Sequence, residues 1–65
     1  NYVYILISKR DFKRYIGLTN NLNRRLNLHN SGKVQATKNR KPFELIYYEE
    51  FEDRIDAVKR EKFLR

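Results

Sequence analysis

The chain opens on an unbroken apolar run, Tyr2-Val3-Tyr4-Ile5-Leu6-Ile7. Both alternating faces are apolar, with Tyr2, Tyr4 and Leu6 on one and Val3, Ile5 and Ile7 on the other. A strand without a polar face belongs at the centre of a sheet, covered on both sides. Ser8-Lys9-Arg10-Asp11 breaks the run, and Phe12 to Leu18 resumes it with aromatic and β-branched residues, which predicts a hairpin. In this second strand Lys13, Tyr15 and Gly17 share one face, and Phe12, Arg14, Ile16 and Leu18 the other. Gly17 removes a side chain near the strand's end, which marks a place where another group approaches the backbone.

The period then changes. Leu22, Leu26 and His29 recur at i, i+4 and i+7, a helical stripe. Asn20 and Asn21 are its N-cap candidates, and Asn30-Ser31-Gly32 is a C-terminal stop. Arg25 and His29, four apart, project from one side of this helix. Lys33 to Lys41 has only Val34 and Ala36 as apolar residues and reads as a loop or a short helix. Pro42 cannot donate to a ladder and suits the leading edge of a strand. Phe43 to Phe51 is the third strand, built on Phe43, Leu45, Ile46, Tyr47 and Tyr48. It runs into Glu49, Glu50, Glu52 and Asp53, an acidic surface that would repel DNA. Asp53 caps a last helix from Arg54 to at least Leu64. On that helix Ala57, Val58 and Leu64 fall on one arc, and Glu61 falls among them. A carboxylate in an apolar stripe is costly unless it is paired or bound to a metal.

These elements predict an α/β domain: a three-stranded antiparallel sheet with its first strand in the middle, flanked by helices. Sixty-five residues make one domain with a modest core. Charge changes the picture more than size does. Residues 1–41 hold ten Lys/Arg and one acid, Asp11, for +9, whereas residues 42–65 hold five Lys/Arg and seven acids, for −2. A basic half of this kind suits a polyanion, because each neutralised phosphate releases condensed counterions. Thr19, Arg24, Lys33, Thr37, Lys38, Arg40 and Lys41 are the candidate contacts to nucleic acid. The chain has no cysteine and one histidine, so a metal would be a hard cation on oxygen ligands, such as Mg²⁺. No apolar run approaches the roughly 20 residues of a membrane span, and a cytoplasmic location is the default expectation.

The order of these residues resembles the GIY-YIG nuclease superfamily. Tyr2-Val3-Tyr4 stands where the family carries Gly-Ile-Tyr, with the leading glycine absent and the tyrosine kept. Tyr15-Ile16-Gly17 matches the Tyr-Ile-Gly of the next strand. Arg25 lies ten positions past that tyrosine, His29 one turn further, and Ala57 to Glu61 matches an Ala-x-x-x-Glu helix. The likeness covers nearly the whole chain and is nearest to small stand-alone bacterial members. Such members run somewhat past the point where this chain stops, so a short extension after the domain at residues 1–65 is expected.

The resemblance implies the sheet order 2-1-3 and a metal-dependent endonuclease acting on DNA, including branched or single-stranded forms. It implies one Mg²⁺ or Mn²⁺ ion at Glu61, Arg25 as a clamp on the phosphate, and a tyrosine, Tyr4 or Tyr15, as general base. An ordinary tyrosine has a pKa of about 10 and would have to be lowered by Arg25 and the metal. His29 would relay a proton or hold a phosphate. Two other readings fit parts of the pattern: a nucleic-acid-binding module of the same shape without turnover, and a protein-interaction domain using the acidic cluster.

Overall fold

The double-sided apolar run becomes β1 (Tyr2–Ser8), the central strand of the computed structural model, which describes residues 1–65. β2 (Arg14–Thr19) and β3 (Phe43–Glu50) pair with it on either side, both antiparallel, in the order β2-β1-β3. Tyr4 lies opposite Gly17 on β2 and Tyr48 on β3, and Leu6 lies opposite Tyr15 and Leu45. A register irregularity between Ile5 and Leu6 interrupts the β1–β3 ladder.

The second strand starts two residues later than the pattern predicts. Phe12 is in the connecting turn, with φ of 59° and 73% of its surface exposed. The side chains of Ser8 and Asp11 account for this. Ser8 Oγ accepts from the Arg10 and Asp11 amides at 3.1 and 3.2 Å, and Asp11 Oδ1 accepts from the Lys13 amide at 2.9 Å. These local bonds offer the backbone an alternative to the ladder.

Helix α1 (Leu22–Asn30) is capped by Asn21, whose side-chain oxygen accepts from the Arg24 amide at 3.1 Å. It stops at Ser31, and Gly32 takes the left-handed conformation at φ 78°. Asn30 then ties the helix end to β3: its amide donates to Phe43 O and its oxygen accepts from Phe43 N. The basic stretch after Gly32 is a series of turns, with Thr37 N bonded to Val34 O and Arg40 N to Thr37 O. Helix α2 (Arg54–Leu64) is capped by Asp53, which accepts from the Ile55 amide at 2.9 Å. Its inner face is the arc that its period singles out: Ala57 and Glu61 are buried, Val58 and Leu64 half-buried.

The apolar interior is small. Tyr4, Leu6 and Phe43 form its centre, with Tyr15, Leu22, Leu26 and Leu45 packed around them. Ser8, His29, Thr37 and Glu61 make four of the ten buried residues, so polar side chains are a large share of what this domain encloses. Burying such groups is tolerable only when they are bonded, and no buried side-chain nitrogen or oxygen lacks a partner.

Candidate active site

Gly17 fixes the position of the Tyr4 ring. A Cβ there would lie 2.8 Å from Tyr4 Cε2 and would overlap the phenol end of the ring. The group that approaches this bare backbone is therefore the Tyr4 side chain, which crosses β2 and brings its hydroxyl towards α1. There it meets Arg25 Nε at 3.3 Å and His29 Nε2 at 3.0 Å. The helical spacing of four is what places these two side chains one turn apart beside one oxygen.

Tyr15 enters from the same sheet face. Its ring centroid is 6.4 Å from that of Tyr4 and 5.0 Å from that of His29. Phe43 stands on another side of the imidazole at 5.7 Å. His29 is fully buried within these rings. Its remaining nitrogen, Nδ1, is 2.7 Å from Thr37 Oγ1.

Hydrogen positions follow from the partners. Arg25 has only donors, so the Tyr4 oxygen accepts from it. The Tyr4 proton then has one acceptor, His29 Nε2. That assignment puts the imidazole proton on Nδ1, where it is given to Thr37 Oγ1, which in turn faces Val34 O at 3.5 Å. The opposite tautomer would leave the Tyr4 proton without an acceptor. The chain thus runs in one direction, from Arg25 through Tyr4 and His29 to Thr37.

Burial and charge fix the protonation states along it. His29 is held down to about 4, first by burial and then by the positive Arg25, so it is neutral near pH 7. Burial also pushes the Tyr4 phenol above its ordinary value, although the hydrogen bond and charge of Arg25 pull the other way. In the resting chain burial outweighs Arg25, so Arg25 alone does not make Tyr4 a phenolate. Arg25 itself is raised, chiefly by its bond to Tyr4, and stays charged.

Glu61 reaches this group from α2. It is 9% exposed, and its charge is close enough to raise Tyr4 further. One carboxylate oxygen pairs with Arg65, one turn on. No three His, Asp or Glu side chains converge on one point, so a cation held by Glu61 would complete its shell largely with water. Mg²⁺ fits that donor set, because it keeps several waters and uses few protein ligands.

Thr19 and Arg24 join Arg25 around a polar cleft of about 170 Å³, closed by Asn20 and Leu28. Lys33, Lys38 and Lys41 are exposed on the turns after α1. Two of the proposed nucleic-acid contacts are placed otherwise. Thr37 is fully buried and its hydroxyl is spent on His29, so it has nothing to offer a phosphate. Arg40 is committed to the β1–β2 hairpin: Nε pairs with Asp11 at 2.7 Å, and a terminal nitrogen donates to Lys13 O at 3.1 Å. The bond from His29 Nδ1 to Thr37 Oγ1 is the contact within this group that the sequence reading missed. The sole signal for it is a lone small hydroxyl in an otherwise basic run.

A GIY-YIG catalytic-domain family model matches residues 1–65. A UPF0213 protein of Clostridium perfringens is 44% identical over 66 residues, covering all of this chain and 70% of that protein. A UPF0213 protein of Oceanobacillus iheyensis is 44% identical over 62 residues, covering 94% of this chain and 71% of that protein. A Lactiplantibacillus plantarum relative, also a UPF0213 protein, is 43% identical, and the match takes in 92% of this chain and 61% of the relative. No solved structure matches.

Proposed function

This chain belongs to the GIY-YIG family, and we propose that it is a metal-dependent endonuclease hydrolysing DNA phosphodiester bonds, with Tyr4 as general base and Arg25 as phosphate clamp. The observation that carries this reading is the Tyr4 hydroxyl held between Arg25 Nε and His29 Nε2. Phosphodiester hydrolysis needs a proton acceptor for the attacking water and a cation for the charge that develops on phosphorus-bound oxygens. Both functions stand here within one hydrogen-bonded unit.

Tyr4 must lose its own proton before it can take one from water. His29 Nε2, neutral near pH 7, is the acceptor in reach, but with His29 held down to about 4 and Tyr4 raised above its ordinary value the transfer is uphill until a bound metal ion adds its charge to that of Arg25 and lowers the phenol. Arg25 stabilises the resulting phenolate through Nε, and its other nitrogens face a non-bridging phosphate oxygen, where a preorganised cation acts on transition-state charge. Water then adds to phosphorus, its proton passes to Tyr4, and the bond to the 3′ oxygen breaks. Glu61 would hold one Mg²⁺ or Mn²⁺ ion, which when bound neutralises charge on the phosphate and the leaving oxygen. The cleft of Thr19, Arg24 and Arg25 suits a neighbouring phosphate by size and charge.

The test is incubation of the chain with duplex, single-stranded and branched DNA, with and without Mg²⁺ or Mn²⁺. Metal-dependent cleavage that Glu61→Gln abolishes, with DNA affinity nearly unchanged, is the expected result. Unchanged cleavage by that variant sinks the assignment of the metal to Glu61. Salt-dependent binding without cleavage by the unaltered chain favours the non-catalytic module.

A further inference from the structure

The tip of the β1–β2 hairpin presents an aromatic ring that the catalytic unit does not use. Phe12 is 73% exposed, and its φ of 59° lies in the left-handed region, which a bulky residue avoids. The turn is nonetheless firmly held. Phe12 N bonds to Ser8 O at 2.9 Å, and Lys9 N bonds to Pro42 O at 2.8 Å. Arg40 spans the other side, paired with Asp11 and bonded to the Lys13 and Arg14 carbonyls. Asp11 is the one acid of the tip, and Arg40 takes it. Arg10, Lys13 and Arg14 are left exposed, with no carboxylate paired to them.

We propose that Phe12 is a stacking platform for an unpaired base, and that the cations beside it hold the flanking phosphates. Charge complementarity selects the occupant: three unpaired cations within two positions of one apolar ring in the chain match a polyanion that carries flat apolar faces. The ring also selects the form of the nucleic acid. Inside a duplex each base face is covered by its neighbours, so a protein ring stacks only where a base is unstacked, on single strands, forks, junctions or ends.

Resting on the nuclease reading, this assigns Phe12 to the unpaired element of the single-stranded or branched DNA that the family resemblance already implies. From Tyr4 to Ser8 β1 advances about 13 Å, and Phe12 lies beyond Ser8. The stacked base and the scissile phosphate therefore belong to different nucleotides of the bound strand.

Two variants test it, with affinities measured at low salt and without divalent metal. Asparagine tolerates the left-handed backbone and removes the ring, so Phe12→Asn keeps the fold and its melting temperature. Its affinity for single-stranded and forked oligonucleotides should fall roughly 5- to 150-fold, with internal duplex binding little changed. Phe12→Trp puts a reporter in a chain with no other tryptophan, and its fluorescence should change on binding single strands. Equal affinities for Phe12→Asn and the unaltered chain, an equal loss on duplex, or an unresponsive tryptophan at saturation overturns the platform. So does undetectable binding by the unaltered chain. Cleavage is scored separately in Mg²⁺. Cleavage with Phe12-independent binding removes the platform and leaves the nuclease, whereas Phe12-dependent binding without cleavage removes the nuclease and leaves the platform.

Discussion

The phenol ring of Tyr4 lies over the bare α-carbon of Gly17, its partner across β1 and β2. Alanine at position 17 lowers the conformational entropy of the unfolded chain, which alone stabilises by about 0.4–1 kcal/mol. The overlap opposes this and wins, because the atoms in the way belong to a ring fixed by Arg25 and His29 and not to a flexible chain end. Overpacking of this kind costs about 1–3 kcal/mol. Gly17→Ala should therefore lower the melting temperature and abolish cleavage together. Full activity in a folded Gly17→Ala protein would show that the ring has room to move.

The two tyrosines should separate kinetically. Tyr4→Phe removes the oxygen shared by Arg25 and His29, and cleavage should fall by the roughly 10²–10⁴-fold typical of losing a general base. Tyr15→Phe leaves that oxygen in place and should retain more turnover under the same conditions. The reverse order, measured as kcat on one substrate, would transfer the base to Tyr15.

Thr37→Val keeps the shape of the buried side chain and leaves the His29 Nδ1 proton without an acceptor. An unsatisfied buried donor costs about 1–3 kcal/mol. Turnover should drop as the imidazole loses its orientation, and Thr37→Ser should restore both stability and rate. An active, fully stable Thr37→Val protein would remove Thr37 from the proton chain.

Acid titration of stability should resolve His29. Its pKa is about 4 in the folded chain against an ordinary value near 6.5, so the unfolded state binds the proton first as the pH falls. Stability is therefore lost on acidification: the His29 contribution is fully present above pH 6.5 and spent by pH 4. The full difference is roughly 3 kcal/mol. His29→Gln should flatten this slope. The loss that remains at lower pH belongs to Asp11, held down to about 2 chiefly by its Arg40 hydrogen bond, and to Glu49, held down chiefly by its Arg60 hydrogen bond. A denaturation midpoint that is flat from pH 7 to pH 4 would contradict a buried neutral His29.

The strand and helix periods made most of this arrangement readable. Alternation puts Tyr4, Tyr15 and Gly17 on one sheet face, the spacing of four puts Arg25 beside His29, and the arc of the last helix singles out Glu61. The misses have a common physical origin. Thr37 and Arg40 lie in a stretch of turns with no period, where a count of charges sees a basic loop. Their partners, His29 and Asp11, are 8 and 29 positions away and reach them only through the fold. Phe12 was misread because apolar patterning records what a side chain prefers and not which backbone angles it takes. The side chains of Ser8 and Asp11 decide that locally.

The hydroxyl at the centre of the proton chain is carried by the one strand with a neighbour on each side. Local opening releases edges and termini first, and a doubly paired strand exchanges its amides only when the whole molecule comes apart. The amide of Tyr4 should therefore be among the slowest to take up deuterium. Loss of the β1 pairing that carries Tyr4 should coincide with the single global transition.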